Sequence, residues 1–139
     1  MPPLWVHFYG VGVSALVATV AAVALTTAGA RAGDARTVVV GGGFSVMAML
    51  LAVHGLVTPG VLVGDTGVIA LTGAATLPVG AAVLALSALP QFNAARSIPR
   101  VIGLTCVCAA AILVLSLVGV LVPRVVPSVP DARSPAAWS

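Results

Sequence analysis

His7 and His54 are the only two imidazoles in the chain, and each lies in a stretch without Asp, Glu, Lys or Arg, residues 1–30 and 37–64. Two facing imidazoles could serve as axial ligands to haem b, as part of a copper or zinc site, or as a pair that separates when both rings become charged. Plainer roles stand beside these. His7 lies among Trp5, Phe8 and Tyr9, an aromatic group of the kind that settles at a membrane surface, and His54 could bond a backbone carbonyl near a helix end. A metal would want a third or fourth ligand, and no further histidine exists. Cys106 and Cys108 are two residues apart, so on a helix they point about 200° away from each other. They cannot bridge one another, lack the CxxC spacing, and read as packing residues. Ser14, Ser45 and Ser116 have no acid to orient a histidine beside them, so a hydrolytic triad is not expected. Gly41-Gly42-Gly43 lacks the GK[ST] ending of a phosphate loop.

The composition dictates which elements must position these groups. Of 139 residues, 60% are hydrophobic and nine are charged, six Arg and three Asp, against about a quarter charged in an ordinary soluble domain. The charge-free stretches 1–30, 37–64, 66–95 and 101–123 each reach the roughly 20 residues needed to cross about 30 Å of hydrocarbon. The expectation is an all-α polytopic membrane protein, a four-transmembrane-helix up-down bundle occupying 1–122, open to being a fragment of a larger bundle. Its spans are placed at about 4–28, 38–58, 66–89 and 101–122. Pro59-Gly60 ends the second, and Pro78 lies inside the third, where it should kink the helix and leave a carbonyl that a hydroxyl such as Thr76 could satisfy. No Asp or Glu falls within a span, which counts against carboxylate-driven transport.

Lipid supplies no hydrophobic drive for helix association, so small residues must carry the contacts. Gly10, Ser14, Ala18, Ala22 and Thr26 recur every four residues along the first helix. Gly41-Gly42-Gly43 opens the second, Ala70, Ala74, Ala81 and Ala85 mark the third, and Gly103 and Gly119 the fourth. On a helical wheel His7 falls within about 20° of Ser14 and Ala18, and His54 within about 20° of Gly43 and Met47. Both rings are therefore expected on contact faces, about one turn from the same end of two antiparallel helices.

Arginines set the expected orientation. Arg31 and Arg36 in the first loop and Arg96 and Arg100 in the third share one side, against Arg124 and Arg133 in the tail, which makes that side cytoplasmic and leaves both termini outside. The same four loop arginines are placed to bind anionic lipid headgroups; nucleic-acid binding is not implied. Ala28-Gly29-Ala30 looks like a signal-peptide cleavage site, but the apolar stretch is too long and no basic residue precedes it, so a permanent helix is expected. The tail, 123–139, is proline-rich until Ser134-Pro135-Ala136-Ala137-Trp138, which reads as the start of a missing helix or as an outer tail with Trp138 at the surface.

The segments Gly29-Ala30-Arg31-Ala32-Gly33-Asp34-Ala35-Arg36, Phe44-Ser45-Val46-Met47-Ala48 and His54-Gly55-Leu56-Val57-Thr58-Pro59-Gly60-Val61-Leu62 resemble the N-terminal multi-helix membrane sensor region of actinobacterial-type signalling proteins with HD-domain or nucleotide-cyclase outputs. The resemblance implies a bacterial inner-membrane sensor and anchor, not an enzyme, with no cofactor, His54 as a sensing position, and a cytoplasmic output domain or partner protein; self-association is also open. With it, His7 and His54 become candidate sensing or ligand-binding residues. The alternatives are a haem- or quinone-binding electron-transfer subunit using both histidines, and a structural subunit of a membrane complex.

Overall fold

A backbone in hydrocarbon must satisfy its own hydrogen bonds, and four apolar segments of this length can do so only as helices. The computed structural model describes residues 4–60, 66–92, 94–122 and 126. It is all-α: α1 (Leu4–Ala32), α2 (Ala35–Leu56), α3 (Gly67–Leu86) and α4 (Ile98–Leu121), with two short 3-10 turns, Pro90–Phe92 and Ala95–Ser97, before α4. All four helices are long and apolar enough to span a bilayer. The chain is a multi-pass membrane protein built as a four-helix bundle.

The helix ends lie where local chemistry puts them, with differences from the spans read above. At 29 residues, α1 is about 43 Å long at 1.5 Å per residue and carries Arg31 in its last turn, where a cation suits the negative end of the helix dipole. Gly33 then takes φ +69°, a conformation that costs glycine no steric penalty. The Oδ1 of Asp34 accepts from the amides of Arg36 and Thr37 at 3.0 and 3.3 Å, and its Oδ2 accepts from the Thr37 hydroxyl at 2.6 Å. That cap starts α2 at Ala35, three residues earlier than hydropathy places it. Pro99 lies in the first turn of α4, where its missing amide hydrogen costs no bond. Pro78 sits inside a continuous α3. The Thr76 hydroxyl does not cover the carbonyl freed by Pro78; it donates instead to Thr72 O at 2.8 Å.

The second helix is the hub. Its antiparallel neighbour α1 packs along one side, α3 and α4 lie against it on others, and α3 and α4 scarcely touch each other. Glycines permit these approaches: a Cβ on Gly41 would meet Thr26 Oγ1 and stand 2.8 Å from the Thr26 amide nitrogen. A Cβ on Gly42 would lie 2.6 Å from Thr105 Oγ1 of α4. The Val38, Val39 and Val101 cluster joins α2 to α4 at one end, and Val53, Val57 and Val68 join α2 to the start of α3 at the other.

The strict four-residue ridge of α1 is only partly used. Ala18 and Ala22 are buried with Ala15 and Gly29, while Gly10 and Ser14 are exposed. Each step of four residues rotates about 40° past a full turn, so a row that meets α2 at Ala22 has swung off it by Gly10. The actual line, Val11, Ala15, Ala18, Ala22, Leu25 and Gly29, alternates steps of four and three, the packing period of antiparallel helices that wrap each other. Ala70, Ala74, Ala81, Ala85 and Gly103 are likewise exposed, whereas Gly119 packs on Val68.

Candidate functional site

His7 stands in the first turn of α1 and His54 in the last turn of α2. Because the two helices run antiparallel, these turns share one end of the bundle. The imidazole rings meet there, with centroids 5.5 Å apart and planes at 67°. The helices themselves are close beside the pair, since a Cβ on Gly55 would lie 3.4 Å from Val11 Cγ1.

His54 is held from the far side by α3. Its Nδ1 lies 2.9 Å from Ile69 O. A carbonyl oxygen only accepts, so Nδ1 carries the proton and donates, which leaves Nε2 with the free lone pair. Space for the ring comes from Gly73, where a Cβ would fall 2.9 Å from His54 Cε1. Gly43 and Met47, on the same face of α2, pack on Val83 and Gly80 of α3. That face therefore belongs to α3, and the half-buried His54 reaches α1 only at its edge. His7 is exposed, not inside a contact face, because the α1 line that meets α2 runs through Val11 and Ala15. The pair is thus one orientated ring and one accessible ring, and sequence periodicity did not distinguish them. The signal that could have done so is Gly73, a helical glycine with no turn to explain it.

The pair does not suit haem. Metal–nitrogen bonds of about 2.0–2.1 Å, with each ring centre roughly 1.1 Å behind its nitrogen, put two axial imidazoles about 6.3 Å apart, with the macrocycle between them. The observed 5.5 Å is too short, and the Val11–Gly55 contact closes the space a porphyrin would need.

The remaining candidates lie elsewhere. Arg31, Arg36, Arg96 and Arg100 are all exposed. They cluster at the end opposite the histidines, where a Cβ on Gly33 of the first loop would lie 3.9 Å from Ala95 Cβ in the third. Cys106 and Cys108 are free and exposed rather than packed, and they face different ways. Cys108 borders a groove of about 530 Å³ between α3 and α4, floored by Val46 and Leu50 of α2. Apart from Thr72 and Ser116 its lining offers no polar side chain besides that thiol, and the Thr72 hydroxyl is already donated to Val68 O at 2.8 Å. The groove is shaped for hydrocarbon and holds no reactive constellation. Among the described residues no three of His, Cys, Asp and Glu come together. Asp65, Arg124, Arg133 and the Ser134–Trp138 cap signal lie outside the described residues. No family model, curated protein or solved structure matches this chain.

Proposed function

We propose that this multi-pass domain is a non-catalytic sensory and anchoring unit, in which the His7–His54 pair is the signal site and α2 passes the signal across the membrane. The observation that carries this is the contact of the two rings, 5.5 Å apart on different helices. The second ring belongs to the helix on which the other three pack. Any event that changes the interaction of the rings therefore acts on the α1–α2 spacing, and through α2 on the whole bundle. The resemblance of residues 29–62 to actinobacterial-type sensor regions supports the same role. With the four loop arginines on the cytoplasmic side, the pair faces outward and the output is a cytoplasmic domain or partner.

Charging both rings is the simplest such event, since imidazole is the side chain suited to changing charge between pH 5 and 8. Two unit charges at the observed separation repel by roughly 1 kcal/mol in water and about 3 kcal/mol at an effective dielectric of 20. A coupling of that size shifts a two-state packing equilibrium about 5- to 150-fold. Among the described residues no carboxylate lies at this end of the bundle. Around His54, α3 presents Gly73 and the Ile69 carbonyl and α1 presents His7; the arginines of α1, α2 and α4 lie at the other end, and Asp65 is outside the described residues.

Spin labels at Val13→Cys and Ala52→Cys, on exposed faces of α1 and α2, should move apart between pH 8 and pH 5 in a background otherwise free of cysteine. His7→Gln and His54→Gln should each remove that movement. A shift of equal size in both variants would overturn the assignment of the pair as the signal site.

A further inference from the structure

Proton response requires only that two rings be close, but the pair has two features that protonation does not need. The first is the fixed tautomer of His54: its Nδ1–H is committed to Ile69 O at 2.9 Å, so Nε2 presents a lone pair. This is the arrangement in which a metal-ligating histidine is held by an outer backbone acceptor. The second is the separation. Two imidazoles bound to one metal at about 2.0–2.1 Å reach a greatest centroid distance of about 6.3 Å when they are opposite each other. The observed 5.5 Å lies below that limit, so the two rings are within the reach of bonds to one ion.

We propose that His7 and His54 form a two-imidazole site for a first-row divalent transition cation of the Cu2+ or Zn2+ class, with water completing the coordination. This rests on the reading of the pair as the signal site and names its ligand. Neutral imidazole nitrogens suit copper and zinc, whereas calcium and magnesium want oxygen donors, which neither ring supplies. Both histidines lie within one turn of their helix ends and His7 is exposed, so a hydrated ion can reach them. Binding joins α1 to α2 across the pair, the opposite mechanical effect to charging both rings.

The test uses the full chain in phosphatidylcholine nanodiscs at pH 7.5. With Cu2+ alone, electron paramagnetic resonance should show one bound copper per chain coupled to two imidazole nitrogens, and calorimetry with Zn2+ should show one site. His7→Gln and His54→Gln should each weaken Zn2+ binding by at least the roughly 10–100-fold that loss of an outer-shell partner alone costs, while Cys106→Ala combined with Cys108→Ala should leave it unchanged. Copper on the unaltered chain with fewer than two imidazole nitrogens would overturn the proposal. So would equal Zn2+ affinity in the histidine variants, or loss of binding with the cysteines. The unaltered chain decides the matter even if a variant misfolds. Failure here is distinguishable from failure of the signal site, because the pH-driven α1–α2 movement is measured separately in the presence of a chelator.

Discussion

Asp34 shows how one side chain places both a helix start and a pH response. Its hydrogen bonds to the Thr37 side chain and amide, then to the Arg36 amide, together with the nearby Arg36 charge, hold its carboxyl below the usual carboxylate value. A carboxyl whose value is lowered on folding contributes its full stabilisation above the unfolded value, and that contribution is lost as pH falls through the folded value. An asparagine side chain at this position could accept the amide bonds without titrating. In detergent, the unfolding temperature of the unaltered chain should therefore fall more steeply between pH 5 and pH 3 than that of Asp34→Asn, with the remaining carboxyls common to both. Equal slopes would mean that the ionised form of Asp34 stabilises α2 no more than the protonated form does. At this scale the sequence was readable only in part. Asp34 before an apolar run announces a cap, but the meeting of His54 with Gly73 and Ile69 joins residues 15 to 19 positions apart, and no local pattern encodes it.

At the scale of elements, the bundle depends on a few places where backbones approach too closely for any side chain. Gly41 is the clearest, with its missing Cβ against the Thr26 amide nitrogen. Gly41→Ala should force α1 and α2 apart and destabilise the bundle by about 1–3 kcal/mol, as overpacking does, whereas Gly103→Ala, with nothing within 4 Å, should be neutral or slightly stabilising through helix propensity. Stepwise unfolding in mixed detergent measures both; equal effects would remove the small-residue account of the α1–α2 contact. The glycine run was visible as a contact in the sequence. The partner of each glycine was not, because Gly41, Gly42 and Gly43 point in turn to α1, α4 and α3. Consecutive helical residues sit about 100° apart, so one short run serves three interfaces.

For the whole molecule, the arginine-bearing loops and the histidine pair occupy opposite ends of the bundle. With the loops cytoplasmic, as proposed, a thiol at Gln91→Cys, in a chain otherwise free of cysteine, should resist a membrane-impermeant maleimide on intact cells and react after permeabilisation. Labelling of intact cells would invert the topology and turn the histidine pair toward the cytoplasm. Composition and charge spacing by themselves determined the solvent, the helix count, the up-down order and the level shared by His7 and His54, because crossing a hydrocarbon layer is a one-dimensional requirement on length and polarity. Only the tertiary structure decided that α2 is the hub, that the α1 contact line follows Val11 and Ala15 rather than Gly10 and Ser14, and that His54 is orientated by α3 while His7 stays accessible. Those outcomes depend on rotations about helix axes. In a chain this rich in alanine, glycine and valine, many rotations present equally apolar faces, and the choice among them is made by close packing between helices that are far apart in sequence.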